Sequence, residues 1–391
     1  MGNLRVLFIT FEFPPYSFSG GAGIYAFKLI EKMSEKGITI HVVFPIDKKG
    51  IKKIPKKLNN RVYLHPIILR KLPGLEYIQF NFKARKYIKK LKNNFDLVHF
   101  NFQTLFKVKN VPNIITVLHP IGSLRILLKF IPNLVFSPKF LFEYNPILVK
   151  IDSLGLKRSD SIIAISKFSK NWIIENYSIN SNKIQVIYLG VDIVKSDINL
   201  VENIKNKLNL KGKKVVLFVG RLEYRKGILN LIGAMSKINE IENLKCIIVG
   251  TGPLKNKILK YIIKMNTRDR FIFLNRVSYK VLISLYNICD IYVQPSFLEG
   301  FGLTIIEAMT ACKPVITTKA GSLPELVQNN YNGILINPDD TESLRNKITF
   351  LLSNNDFAKK LGENASKTVK RKFNWSKTAE NTIKIYKEFF K

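Results

Sequence analysis

The chain has 391 residues, of which 46% are hydrophobic and 11% aromatic, a composition that excludes a disordered protein. This length favours two domains. Its three cysteines, Cys246, Cys289 and Cys312, are widely spaced, which argues against a disulfide framework and against a zinc site. A reducing, cytoplasmic location is therefore expected.

The positive charge is concentrated in one part of the chain. The net charge is +35, and residues 51–150 hold 19 Lys and Arg against 3 Asp and Glu. Such a region could attract an anionic membrane surface or an anionic acceptor, although composition bias over solvated helices would give the same count. Because no apolar stretch approaches the ~20 residues that span a bilayer, we expect at most a peripheral association with the inner face of the cell membrane.

A nucleic-acid-binding protein is the alternative that the charge suggests. The sequence contains no zinc finger, RNP motif or basic zipper, and its charged clusters are mixed with apolar segments. Binding to nucleic acid is therefore disfavoured.

Short apolar runs alternate with helix-length segments along the chain. The runs fall at 5–11, 39–44, 97–100, 114–118, 161–165 and 183–188, and then at 214–219, 245–249, 271–274, 291–294, 314–317 and 333–336. Runs of this kind predict parallel sheets covered by helices on both faces. The predicted fold class is α/β, with two facing, doubly wound, Rossmann-like domains and the active site in the cleft between them. We place the first domain at 1–195 and the second at 196–374, with a helix at about 375–391 packing back on the first.

A proline and glycine motif, FEFPPYSFSGGAG, follows the first predicted strand. Gly20 and Gly21 would let a ligand approach the backbone, and the helix that follows would offer N–H groups to an anion. The spacing matches only part of the dinucleotide-binding pattern, so a purely structural turn also explains it.

One histidine follows the predicted strand 114–118. His119 is one of only 4 histidines and stands in the half that is expected to face the cleft. A capped or core histidine is as compatible with this position as a functional one.

Two cations follow the first strand of the second domain, in the segment VVLFVGRLEYRKG. Arg221 and Lys226 could clamp a diphosphate, Arg221 through paired hydrogen bonds and Lys226 as a point charge. Taken alone, two solvated charges would be the favoured interpretation in a chain with 63 Lys and Arg.

Two carboxylates lie in the apolar segment PSFLEGFGLTIIEAM, which predicts a loop followed by a helix at about 302–310. Glu299 lies before the helix and Glu307 inside it. The backbone N–H groups of Phe301, Gly302 and Leu303 could then meet a phosphate, while the carboxylates accept hydrogen bonds from sugar hydroxyls. Glu299 could instead serve only to complement the helix dipole. Glu307 stands between apolar neighbours, where a glutamate needs a partner.

Together with KPVITTKAGSLPELV and NGILI, these motifs resemble the retaining, nucleotide-sugar-dependent glycosyltransferases of family 4, which have the GT-B fold. The resemblance covers nearly the whole chain. It implies transfer of a hexose-type sugar from a UDP-sugar or GDP-sugar to a glycan or lipid-linked acceptor. A sugar-nucleotide epimerase with the same fold is the alternative within the enzymes, and the motifs disfavour it.

The resemblance also implies roles for individual residues. Arg221 and Lys226 would bind the donor diphosphate, Glu299 the hydroxyls of the donor sugar, and Glu307 the ribose. His119 would contact the donor sugar near the reacting carbon. The other implied donor-binding positions are Gly20, Gly21, Val277, Phe301, Gly302 and Leu303. Three positions depart from the family pattern, namely Pro120, Leu189 and Cys312. Because Pro120 follows His119 directly, it leaves the local geometry of this histidine open.

The implied chemistry uses neither a metal nor a cofactor. Positive charge from Arg221, Lys226 and the helix N-terminus would stabilise the leaving phosphate, which acts as the base in a front-face attack with retention. The acidic pair Asp339 and Asp340 follows an apolar run and is expected to cap a helix.

The acceptor is expected to bind to the first half. In FNFKARKYIKKLK, the apolar positions Ala84, Tyr87, Ile88 and Leu91 are spaced as in an interfacial helix, although they could equally pack on the core of the domain. The segment after His119 mixes apolar residues with basic ones and could face a lipid-linked acceptor. Its basic residues are Arg125, Lys129 and Lys139.

Overall fold

The computed structural model describes residues 4–17, 20–47, 54–70, 75–91, 95–102, 104–130, 146–193 and 196–390. The chain forms two compact units. The first consists of residues up to Gly190, without a short segment after Arg125, together with the C-terminal part from Trp375. The second is formed mainly by the residues from Val191 to Asn374. The part of the predicted acceptor segment around Lys139 lies outside the described residues.

An eight-stranded sheet forms the centre of the first unit. Its strands are β1 (Arg5–Ile9), β2 (Thr39–Ile46), β3 (Lys57–Asn59), β4 (Val62–Ile68), β5 (Leu97–Phe100), β6 (Asn113–Val117), β7 (Ser161–Ala164) and β8 (Ile184–Val186). They lie in the order β3-β4-β2-β1-β5-β6-β7-β8, and only the β3–β4 pair is antiparallel. The direction of winding therefore reverses between β1 and β5, which are neighbours in the sheet.

Helices cover this sheet, as expected for parallel strands that are apolar on both faces. They are Gly21–Glu35, Glu76–Ile88, Pro146–Arg158, Lys167–Tyr177 and Trp375–Glu388. A 3₁₀ helix, Ile121–Lys129, begins in the first unit, and its residues from Ile126 onward belong to the second. The last helix belongs to the first unit although it ends the chain. The Thr378 hydroxyl donates to the Tyr188 carbonyl at 2.8 Å, and Tyr386 is hydrogen-bonded to the buried His99.

Strands β3 and β4 were not predicted; in β4, Pro66 interrupts the apolar run VYLHPII. The structure shows why the proline is tolerated. Leu64 donates its N–H to the Lys56 carbonyl on the β3 side, and Pro66 points its nitrogen the same way, since alternate residues of a strand share a direction. Strand β3 pairs with β4 only as far as Tyr63, so no hydrogen bond is lost at the proline.

The second unit contains a six-stranded parallel sheet. Its strands are β9 (Lys214–Val219), β10 (Leu244–Val249), β11 (Phe271–Leu274), β12 (Ile291–Gln294), β13 (Val315–Thr318) and β14 (Ile334–Ile336). They lie in the order β11-β10-β9-β12-β13-β14. Ligands of such sheets bind beyond the carboxyl ends of the strands where the order reverses, which here are β9 and β12.

The helices of the second unit pack on this sheet. They are Ile198–Lys207, Ile228–Ser236, Lys255–Lys264, Tyr279–Ile288, Leu303–Thr310, Leu323–Leu326, Thr341–Ser353 and Asn355–Lys372. One apolar core joins the sheet to the helices through residues such as Val216, Ile232 and Ile348. As predicted, Asp340 caps a helix, because its carboxylate accepts from the Ser343 N–H at 2.8 Å. Among the helices that the structure describes, none could cross a bilayer.

Candidate active site

The loops that follow β9 and β12 are in backbone contact. Gly227 has φ +64°, and a Cβ atom there would lie 1.8 Å from the Pro295 carbonyl oxygen. The Phe297 N–H donates to the Arg225 carbonyl at 2.9 Å. Only glycine permits this approach, so the motif RKG holds the two loops together at the reversal point of the sheet.

Glu299 is the most heavily hydrogen-bonded residue of this site. Its Oε1 atom accepts from Lys226 Nζ at 2.5 Å, from Gln294 Nε2 at 2.5 Å and from Ser296 Oγ at 2.9 Å. Its Oε2 atom accepts from Arg225 Nη1 at 3.3 Å. Three donors saturate Oε1, so Oε2 is the atom that can accept from a ligand.

The cations keep Glu299 ionised although it is buried. Burial alone would raise the pKa of its carboxyl group, but Lys226 and Arg225 lower it to about 2. Burial also lowers the pKa of Lys226, and the Glu299 carboxylate opposes that effect. The site therefore holds an ionised carboxylate next to the Lys226 amino group and the Arg225 guanidinium group.

Gln294, at the end of β12, orients this carboxylate. Its side chain is fully buried. Its amide nitrogen donates to Glu299 and to Ser296, and its amide oxygen accepts from Tyr292 at 2.7 Å and from Thr304 at 2.5 Å. All four hydrogen-bonding positions of the amide are filled, which fixes its orientation and that of Glu299.

The loop after β13 holds the backbone of Glu299 in place. The Ser322 N–H donates to the Glu299 carbonyl at 3.1 Å, and the Ser322 hydroxyl donates to the Phe301 carbonyl at 2.9 Å. Gly321 has φ +56°, and a Cβ atom there would lie 2.3 Å from the Glu299 carbonyl oxygen. The segment KAGSLPELV thus helps to position the loop that contains Glu299.

The helix Leu303–Thr310 begins directly after the loop that follows β12. Gly302 is its N-cap residue, with φ +106°, and accepts the N–H groups of Ile305 and Ile306 at its carbonyl. The first N–H groups of a helix have no partner within it and carry a partial positive charge. The backbone at Phe301, Gly302 and Leu303 is therefore suited to an anion.

Glu307 lies inside this helix and has the partner that the sequence required. Tyr286 donates its hydroxyl to Oε2 of Glu307 at 2.8 Å. Burial raises the pKa of this carboxyl group, the hydrogen bond from Tyr286 lowers it and Asp192 raises it, and the resulting pKa is about 7. Glu307 can therefore change its protonation state near neutral pH.

Arg221 and Val277 lie at the margins of this arrangement. The side chain of Arg221 is 61% exposed and lies 3.6 Å from the Glu223 carboxylate, which also pairs with Arg225. Arg221 is thus available to a ligand but does not contact Glu299 in the structure. Val277 is half-buried in the loop between β11 and the helix Tyr279–Ile288.

The predicted glycines Gly20 and Gly21 lie in the first unit, where a carboxylate of the chain itself meets the helix. Gly20 is the N-cap of Gly21–Glu35, and Oε2 of Glu12 accepts from the Gly23 N–H at 3.0 Å. Burial raises the pKa of Glu12, and hydrogen bonds from Gly23 and Gly20 oppose that rise. The anion at this helix N-terminus in the described structure is therefore Glu12.

His119 also lies in the first unit, just after β6. The Ser123 hydroxyl donates to the Pro120 carbonyl at 2.7 Å and lies 3.2 Å from Nε2 of His119. Since a hydroxyl has one proton to donate, it accepts from the histidine, which places the imidazole proton on Nε2. Pro120 thus takes part in orienting the ring.

Sequence reasoning missed several side chains, namely Arg225, Tyr286, Gln294 and Ser296 in the second unit and Glu12 in the first. Arg225 had a signal, since it is next to Lys226 in the same motif. Gln294 had a weaker one, as a polar residue at the end of a buried strand. The role of Tyr286 is visible only once its helix is packed beside Leu303–Thr310.

Two family models match the chain. Residues 201–368 match the model of glycosyl transferases group 1, and residues 19–195 match the model of glycosyltransferase family 4. The two matches do not overlap, and together they cover most of the chain.

Similar proteins are known by sequence and by structure. Glycosyltransferase MJ1178 of Methanocaldococcus jannaschii is 30% identical over 380 residues, which is 95% of this chain and 96% of that protein. Glycosyltransferase MJ1607 of the same organism is 33% identical over 244 residues, which is 61% of this chain and only 62% of that protein. The structure of Anabaena Alr3699/HepE in complex with UDP and glucose superposes with a TM-score of 0.77, at 20% identity, over 98% of this chain and all of that one.

The likeness to the Anabaena structure establishes the fold, since the TM-score of 0.77 applies to nearly the whole of both chains. The relationship to MJ1178 extends over nearly the full length of both proteins. The chain therefore belongs to the glycosyltransferases of family 4, has the GT-B fold and is a glycosyltransferase.

Proposed function

We propose that the protein is a retaining glycosyltransferase that moves a hexose-type sugar from a nucleoside diphosphate sugar to a glycan or lipid-linked acceptor, without a metal. The observation that carries the proposal is the arrangement at the ends of β9 and β12. There Glu299, Lys226 and the start of the helix Leu303–Thr310 adjoin one another, with Glu307 a little further along that helix. The UDP and glucose in the Anabaena structure support a nucleotide-sugar donor.

The donor would bind with its diphosphate at the helix N-terminus. Arg221 and Lys226 would supply cationic contacts, because an ammonium group has three donors and the hydrogen bond of Lys226 to Glu299 uses one. Glu307 in its ionised form would accept from the two ribose hydroxyls. Oε2 of Glu299 would accept from one hydroxyl of the donor sugar.

The positive groups would stabilise the charge that develops on the leaving diphosphate. Such preorganised groups lower the barrier because they need no reorientation as the bond breaks. The acceptor hydroxyl would attack from the face of the leaving group, give its proton to the leaving phosphate and form the new bond with retention. His119 would contact the donor sugar near the reacting carbon.

A panel of donors tests this proposal. UDP-, GDP- and ADP-sugars are added to the full chain in EDTA, and both the melting temperature and the release of free nucleoside diphosphate are measured. We expect one donor to raise the melting temperature and to be hydrolysed slowly. Glu307→Ala and Arg221→Ala should each lower donor turnover at least about tenfold, since each removes a contact to the donor.

Glu363→Gln, an exposed change in the same unit, is the matched control and should behave as the wild type. Failure of every donor to bind would contradict the proposal. Conversion of a donor into another sugar nucleotide, without release of nucleoside diphosphate, would show an epimerase instead.

A further inference from the structure

The helix Glu76–Ile88 is oriented by its buried face. Phe80 and Ala84 are fully buried, and the Phe80 ring lies 5.7 Å from the ring of Phe11 and 5.5 Å from that of Phe102. Ala84, Tyr87, Ile88 and Leu91 thus pack on the core, which is the second of the two interpretations that the sequence left open. The opposite face of the helix must point to solvent.

That outward face carries a second set of apolar side chains. Leu75 is 52% exposed, Ile78 39% and Phe82 66%. The three are three and four positions apart, so they form one stripe along the helix. Phe82 has the highest exposure among the large apolar residues of the first unit that the structure describes.

Basic side chains share this face with the stripe. They are Arg85, Lys86, Lys89 and Lys90, and all are exposed. Among the residues that the structure describes, none of the four is in an ion pair, and Glu76 is the only acidic residue between 75 and 91. Apolar and basic side chains therefore project together into solvent, with their charge uncompensated.

We propose that this face of the helix, formed by Leu75, Ile78 and Phe82 with the four basic residues, binds the surface of a membrane that contains anionic lipid. Bulky apolar side chains enter the boundary between headgroups and acyl chains, and the long basic side chains reach the anionic headgroups. A nucleic acid would use the charge but leave Phe82 exposed to water. The proposal rests on the proposed function, because a lipid-linked acceptor would lie at that surface.

Sedimentation with vesicles tests the docking surface in the full chain. The vesicles contain phosphatidylcholine alone, or phosphatidylcholine with about 30% phosphatidylglycerol as anionic lipid. We expect binding to the anionic vesicles only, and loss of binding at about 0.5 M salt. The variants Ile78→Gln/Phe82→Gln and Lys86→Gln/Lys89→Gln should each weaken binding roughly tenfold.

A matched control changes another basic helix with an exposed apolar residue. Lys260→Gln/Ile263→Gln alters the helix Lys255–Lys264, where Ile263 is 65% exposed, and should bind vesicles as the wild type does. Equal binding by all variants, or no binding of the wild type to anionic vesicles, would overturn the proposal. So would binding to duplex DNA in about 0.3 M salt together with no binding to vesicles.

Release of nucleotide from the donor without vesicles separates this proposal from the proposed function. The docking variants should keep the wild-type rate, because the altered side chains lie outside the donor site. Vesicle binding by a protein that turns over no donor would support the docking surface and reject the transferase mechanism. Donor turnover by a protein that does not bind vesicles would support the transferase mechanism and reject the docking surface.

Discussion

Glu299 and Glu307 lie in one loop-and-helix segment, and their pKa values are shifted in opposite directions. Glu299 is as buried as a core residue, yet two cations hold its pKa at about 2. Glu307 has no cation among its described hydrogen-bonding partners, and burial raises its pKa to about 7. The first is therefore a permanent carboxylate, whereas the second becomes one near neutral pH.

This difference predicts how stability depends on pH. The folded state holds a proton on Glu307 up to about pH 7, while the unfolded chain releases it near the ordinary glutamate pKa of 4.5. Between these two values the folded state binds more protons, so Glu307 lowers the free energy of unfolding as the pH rises. The loss is at most about 3 kcal/mol, and Glu307→Gln should abolish it because the amide has no charge.

Urea unfolding at pH 5, 6, 7 and 8 measures this effect. We expect the difference in stability between Glu307→Gln and wild type to grow in favour of the variant up to about pH 7 and then to stay constant. Glu363→Gln is the control for a solvated carboxylate in the same unit. Parallel profiles for wild type and Glu307→Gln would show that Glu307 is ionised throughout.

Among the elements of the second unit, the loops that form the site touch through glycine. Gly227 and Gly212 both have positive φ, but only Gly227 lies against another backbone, since no atom lies within 4 Å of a Cβ at Gly212. The loop after β9 can therefore pack on the loop after β12 only if residue 227 has no side chain. This packing brings Lys226 to Glu299.

A pair of alanine variants separates the effect of backbone strain on stability from the effect of the contact between the two loops. Gly212→Ala should lower the melting temperature by about 2–4 °C, which corresponds to the cost of roughly 1 kcal/mol for alanine at positive φ. Gly227→Ala should lower it by more than about 8 °C and abolish donor binding, because the loops must separate. Thermal unfolding followed by circular dichroism measures both. Equal effects at the two positions would contradict the role of the contact.

Over the molecule as a whole, sequence patterns predicted the parallel sheets well. The observed β9, β11 and β12 coincide with predicted runs, because strands buried on both faces are continuously apolar. The predictions of a partner for Glu307 and of a helix cap at Asp340 were also confirmed. These features depend on residues close together in the sequence or on one strong local pattern.

Other features could not be predicted because they arise from packing between distant segments. Arg225 and Glu299 are 74 positions apart, and their contact exists only once two loops have met. The outward face of the helix Glu76–Ile88 was missed because the helix has apolar residues on both sides. Periodicity alone does not show which side faces the core.

Hydrogen exchange of the full chain, in EDTA, with and without UDP or GDP, would locate the nucleotide site. The proposed mechanism requires the nucleotide to bind where the order of the second sheet reverses. We expect one nucleotide to slow exchange at the backbone amides of 301–303 and in the loop 220–227, and Glu307→Gln to weaken this protection. Binding that leaves both segments unchanged, or that protects only the first unit, would contradict this location of the donor site.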